Sequence, residues 1–395
     1  VLRGKAINHI AMAGTTPIVV PQIATDNAKI YAITDPTVGT VLLESNDDSA
    51  TDKTKLQDFT DTGAAYAGGV ARMAAFTIGT DEYVAAALTP NGQAFGTALA
   101  FSAAATGCLR LLKRDGANKL EDKGLAKLSG TAVRLSCNAA GATYLGTVLG
   151  TKNFNQISAM HWDPTTERLY IGTKDAGSTI ENKVNLMVGR VDTDSIELVG
   201  AAPLLAGADK NIVSFQSGTI GTAGAYSMNH INSMETSTGG HYIIVQCDQS
   251  IDQTEANLPT HATSSRGVFA LPVVKTNATV ANIGKLAVKG GFTTPATTAA
   301  HMHQGAADIA IANIDPEALV GGALAPVTSS ASITDMQVAG DTVYISSKPG
   351  ASGEGDAFGI FASTAIFDVN GIIKGWTAWT RVGGINSEVF NIAID

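Results

Sequence analysis

The sequence predicts an all-β protein, and three observations carry that prediction. A degenerate hairpin recurs along the chain: an apolar residue, two variable positions and a Met or Ile, then a tyrosine inside a β-branched run eight or ten positions later. Its instances are Val20/Ile23 with Tyr31, Val70/Met73 with Tyr83, Ile157/Met160 with Tyr170, Ile231/Met234 with Tyr242, and Ile333/Met336 with Tyr344. No segment sustains a 3.6-residue apolar period over a helical length. Gly, Pro, Asp and Asn gather between the apolar runs, as turn residues do. Repeats at long, uneven spacing mark one supersecondary unit arrayed along or around an axis.

Taken in order, the chain opens with Gly4-Lys-Ala-Ile-Asn-His-Ile10-Ala-Met, which has room for about one strand before the first full hairpin near residue 20. A second repeat starts near 70. Ser136 with Tyr144 keeps the hairpin offset, but too few residues follow for a whole unit, so it reads as an inserted hairpin or as outer strands. The third repeat is clearest. Ile157–Trp162 is a strand, Asp163-Pro-Thr-Thr a turn with Asp and Pro in favoured places, and Arg168–Thr173 the second strand. Val184–Val191 and Ser195–Val199 complete a four-stranded antiparallel meander. A fourth repeat starts near 231. A degenerate one is expected near 299, where Ala299 to Met302 is followed by Asp308-Ile-Ala-Ile-Ala-Asn313, and Leu319–Pro326 echoes Leu198–Pro203. The fifth clear repeat runs from Ile333 through Tyr344 and Gly359–Ala362 to the turn Asp368-Val-Asn-Gly371 and the strand Trp376–Val382.

A four-stranded meander repeated with a first strand of small and apolar residues resembles the blade of a β-propeller, whose innermost strand faces a crowded axis. The resemblance is one of pattern. The chain has no WD series, kelch glycine pair or Asp-box, so it points to no particular propeller family. It implies one propeller domain over residues 1–395, with about six or seven four-stranded blades. The final blade would be formed from or closed by both termini, 385–395 with 1–13. Val389-Phe-Asn-Ile392-Ala-Ile-Asp395 matches a blade start, yet two terminal strands make half a blade. Three explanations stay open: a short final blade, a chain cut from a longer precursor, and strands supplied by another polypeptide through β-augmentation. Val1 in place of an initiator Met agrees with a mature product or a fragment.

Composition narrows the function. The 395 residues are 45% hydrophobic and 15% charged, too apolar for disorder and ample for a large core. The net charge of −9 comes with no run of Lys or Arg, which argues against nucleic acid or an anionic membrane surface as partner. No stretch approaches the roughly 18 apolar residues of a membrane helix. Cys108, Cys137 and Cys247 form no disulfide framework and no C-x-x-C pair, although a Cys108 to Cys137 bridge stays open. Abundant Ala, Gly, Thr and Ser with sparse Lys and Arg lean towards an extracellular or cell-surface protein. The sequon at Asn277 decides nothing.

Candidate chemistry is sparse. His301 and His303, two apart, would share one face of a strand and could bind one metal, but no third ligand lies nearby in sequence. Asn46-Asp47-Asp48, Asp52, Asp58 and Asp61 could collect calcium, without the spacing or glycine of an EF-hand loop. Asn8-His9-Ile10 and Asn229-His230-Ile231 look alike and sit close to blade starts, so they are attributed to the repeat. Trp376 and Trp379 should fall on opposite faces of a strand, one of them core or between blades and the other free for carbohydrate or protein contact. Neither Gly-x-Ser-x-Gly nor a phosphate-binding glycine loop occurs. The leading expectation is therefore a non-catalytic structural or interaction propeller in a larger protein assembly, self-association included. The alternatives are a secreted polysaccharide- or glycan-acting hydrolase or lyase and a carbohydrate-binding propeller, because propeller sites draw single residues from several blades and leave no contiguous motif.

Overall fold

The computed structural model describes residues 7–21, 30–35, 40–44, 70–88, 108–114, 120–128, 154–175, 183–192, 195–198, 212–216, 226–248, 267–273, 275–276, 283–284, 313–314, 332–348, 359–371, 373–377, 379–383, 389 and 391–394. These residues are all β, and they fall into two compact units, 1–176 with 187–205, and 177–186 with 206–395.

The first unit holds three meanders. In the first, β1 (Ile7–Ala13), β2 (Thr16–Pro21), β3 (Tyr31–Asp35) and β4 (Thr40–Glu44) pair antiparallel in chain order. The second runs β5 (Val70–Ile78), β6 (Asp81–Leu88), β7 (Cys108–Arg114) and β8 (Leu120–Leu125) in the same way. A short strand, β9 (Lys127–Leu128), then leaves this sheet. The third joins β10 (Phe154–Asp163), β11 (Arg168–Asp175), β12 (Lys183–Asp192) and β13 (Ser195–Leu198). β9 adds to it in parallel on β13, and Lys127 Nζ reaches Asp192 Oδ2 at 2.9 Å.

The second unit begins with β14 (Ile212–Gln216). Its first meander is β15 (Tyr226–Glu235), β16 (His241–Asp248), β17 (Gly267–Pro272) and β18 (Asn313–Ile314). Its second is β19 (Ser332–Ala339), β20 (Thr342–Lys348) and β21 (Gly359–Phe367), with β22 (Ile373–Trp376) and β23 (Thr380–Arg381) both paired to β21.

The strands expected of the third repeat match β10 to β13 within three residues at each end. The turn between β10 and β11 forms as its residues dictate. Asp163 accepts from Thr165 N (3.2 Å) and from the Thr166 hydroxyl, so one buried carboxylate satisfies the corner. Asp368-Val-Asn-Gly371 is likewise a turn, with Gly371 N–H bonded to Asp368 O and Asn370 N–H to Asp368 Oδ1. Two expectations shift. Val20, taken as a first-strand residue, lies in β2, because β1 pairs with β2 along its length and is itself the first strand of that sheet. Of the degenerate repeat near 299, the described part is Asn313–Ile314, which pairs with β17 as the outer strand of the preceding sheet. Ile23, Ser136 with Tyr144, Cys137, Asn277 and Leu319–Pro326 lie outside the described residues.

Burial explains why the repeats hold. Ala13, Ile18, Val20 and Ile30 of the first sheet pack against Val70, Met73, Val84, Ala86 and Leu112 of the second. In the second unit Met234, Tyr242, Ile244 and Val268 pack against Ile333, Met336, Val343, Ile345 and Phe361. Each fully buried large apolar side chain contributes roughly 1.5–3 kcal/mol. The repeat tyrosines Tyr83, Tyr170 and Tyr242 are buried, and the Tyr242 hydroxyl accepts from Ile373 N–H at 3.2 Å. Burial drives the Tyr170 phenol well above its ordinary range.

Close packing sets one testable position. A Cβ added to Gly189 on β12 would lie 2.8 Å from Ile196 Cγ2 on β13. Gly189→Ala should therefore lower stability by about 1–3 kcal/mol through overpacking. Urea unfolding measures this, and an unchanged midpoint would show that the β12–β13 pair yields freely.

Candidate functional site on the bulged first strands

The first strand of each meander carries a shift in register against the second that inserts one extra residue, and β10 carries a further one between Phe154 and Gln156. The shifts fall between Ile7 and His9, Val70 and Arg72, Ile157 and Ala159, Met228 and His230, and Ile333 and Asp335. A bulge bends the strand and re-aims the side chains that follow it. The residues just past these bulges are His9, Arg72, Ala159, His230 and Asp335, four of them polar and ionisable.

Neighbouring first strands lie side by side, β5 next to β1 and β10, and β15 next to β19. In the first unit Arg72 Nε on β5 donates to the Ser158 carbonyl on β10 at 2.5 Å, and Ser158 is itself the bulged residue of its strand. Burial pushes the Arg72 guanidinium down to about 10, so it is still a cation at neutral pH. In the second unit Asn232 Nδ2 on β15 donates to the Met336 carbonyl on β19 at 2.6 Å. His230 Nδ1 stands 3.8 Å from Asp335 Oδ1, with side chains 21% and 17% exposed. Asp335 Oδ1 also accepts from Met336 N–H and Oδ2 from Ile392 N–H, each at 2.8 Å. The pair is half-buried. It offers a carboxylate, an imidazole and, one turn of the pleat along, an amide.

The sequence-predicted sites fall elsewhere. His301, His303, Asp47, Asp48 and Asp52, with the rest of the acidic loop, lie outside the described residues. Among the described residues no group of three or more His, Cys, Asp or Glu is placed to hold a metal ion. Asn8-His9-Ile10 and Asn229-His230-Ile231 both lie in first strands, as the repeat implied. His230 acquires a partner because β19 brings Asp335 beside it, which nothing in either local motif announced.

The two tryptophans correct their expectation. Both are half-buried and both pack against the same core of the second unit. Ala365 pairs with Trp376 and Ala362 with Thr380, so an interval of three residues on β21 faces one of four between the two partners. That extra residue turns a spacing of three into an effective spacing of two, and the indoles share a face. Thr377 secures the irregularity: its carbonyl accepts from Ser363 Oγ (2.7 Å) and its hydroxyl from Thr364 N–H (2.9 Å).

Scans against family models and against curated proteins return no match for this chain. Among solved structures, an exo-1,5-α-L-arabinanase from a bovine ruminal metagenomic library aligns over 93% of this chain and 96% of its own, at 10% identity and a TM-score of 0.33. So low a score gives no residue of this chain a role.

The shared face of the indoles can be checked directly. In a Trp162→Phe variant the remaining emission, from Trp376 and Trp379, should be blue-shifted and protected from iodide. A quenchable half of the signal would mean that the two rings face opposite sides.

Proposed function

We propose that this chain is an extracellular β-propeller that binds or cleaves a polysaccharide or glycan, using the polar residues placed just past the first-strand bulges. Repeated four-stranded meanders with adjoining first strands support the propeller, read as one domain of six or seven blades over 1–395. The observation that carries the functional reading is the half-buried His230–Asp335 pair beside Asn232. Carboxylate, imidazole and amide together supply the donors and acceptors that sugar hydroxyls require. An imidazole beside a carboxylate can also serve as a general acid or base. The test is to incubate the full chain with a panel of neutral and acidic polysaccharides, following reducing ends and binding heat. If the pair performs acid–base chemistry, His230→Ala should lower turnover by about 10²–10⁴-fold. If the chain binds without cleaving, His230→Ala and Asp335→Asn should each weaken binding. Neither binding nor cleavage across the panel overturns this reading.

A second reading, a structural module in an assembly of copies of this chain, is favoured by a different observation. Ile7, Ile10 and Met12 on β1 are 39%, 67% and 51% exposed. The bulge between Ile7 and His9 brings all three to one face, opposite Ala11 and Ala13, which pack on the core. An exposed apolar face at a sheet's end favours association. Native mass measurement and electron microscopy should then find a ring or polymer that Ile10→Lys dissolves, whereas a monomer unaffected by Ile10→Lys leaves the glycan reading alone.

A further inference from the structure

We propose that Val389 and residues 391–394 form a detachable strap over the His230–Asp335 pair, held shut by β19 and displaced when the site takes its ligand. The inference rests on the reading of that pair as the binding site. Consecutive residues of β19 hold the strap. The Thr334 hydroxyl donates to the Val389 carbonyl, and Asp335 Oδ2 accepts from Ile392 N–H at 2.8 Å. Thr334 is the bulged residue of its strand and Asp335 the one after it, so the irregularity that aims the carboxylate also grips the strap.

The grip is local. Residues 391–394 belong to no strand, and Asn391, Ala393 and Ile394 are exposed. The contact nonetheless falls on the group that matters. The carboxylate has one oxygen turned to Met336 N–H and the imidazole, and the other accepts from the strap's Ile392 N–H at 2.8 Å and, at 3.5 Å, from Gln337 Nε2. At 3.8 Å the imidazole and carboxylate stand beyond hydrogen-bonding distance. A ligand hydroxyl that donates to Oδ2 replaces the Ile392 N–H one for one, so displacement leaves no buried acceptor empty. A strap with exposed residues and one charge-assisted hydrogen bond is suited to that exchange.

Ile392→Pro in the full chain removes the strap's own N–H to Asp335 Oδ2, and Thr334→Val removes the other anchor. Hydrogen exchange and the rate of His230 modification by diethylpyrocarbonate are read without any sugar present. Each variant should speed His230 modification several-fold, and Ile392→Pro should leave the remaining strap amides freely exchanging, while β16 and β17 keep wild-type protection. An unchanged His230 rate in both variants, or wild-type strap amides as protected as those of β19, overturns the strap. Because these readouts need no ligand, a strap that opens on a chain that binds no polysaccharide would sink the glycan reading alone.

Discussion

Side chains on a strand alternate between faces, so two residues at an odd spacing can share a face only if an extra residue is inserted between them. The architecture depends on that constraint. Val70 and Met73 lie in one core, and so do Ile333 and Met336, because a bulge falls inside each three-residue interval. Where the bulge comes earlier, between Met228 and His230, the interval Ile231 to Met234 is regular, and Met234 joins that core without Ile231. The same rule gathers Ile7, Ile10 and Met12 onto one exposed face and brings Trp376 and Trp379 together.

Bulges also create the polar problem that the site solves. First strands of adjoining sheets run close together without a shared ladder, so the polar groups between them are paired by side chains. Arg72 meets Ser158 O in one unit and Asn232 meets Met336 O in the other. Both donors are side chains from the neighbouring first strand. Each contact is a bond between sheets, and it holds a polar side chain among apolar ones.

Remote from the first strands, the sheets are joined more conventionally. Thr16, Glu82 and Arg114 form one hydrogen-bonded group between the first two sheets, with Arg114 Nη1 2.7 Å from Glu82 Oε2. In the second unit the Ser237 amide and hydroxyl both donate to Asp341, and the Thr238 hydroxyl donates to the Gly371 carbonyl. Gly371 has φ +75°, and a Cβ there would meet Thr238 Cβ at 2.8 Å, so this turn admits only glycine on two grounds. Such contacts fasten the hairpin ends of the sheets, and the bulged ends hold Arg72, His230 and Asp335.

The sequence by itself determined the all-β class, the meander as the repeated unit and the turns at Asp163 and Asp368, because those follow from composition, period and local turn chemistry. It also held the trace of the bulges, an apolar-x-x-Met interval that no regular strand can place on one face, although the interval alone does not say where the extra residue sits. Tertiary structure decided what the polar residues do. Asp335 lies 105 positions from His230 in sequence (335 − 230), and Ser158 lies 86 from Arg72. No local pattern encodes which carbonyl a neighbouring sheet will present or which carboxylate will stop beside an imidazole. The first repeat shifted by one strand for the same reason: a strand that pairs with its successor belongs to the sheet where it finds the most partners, and partners are set in three dimensions.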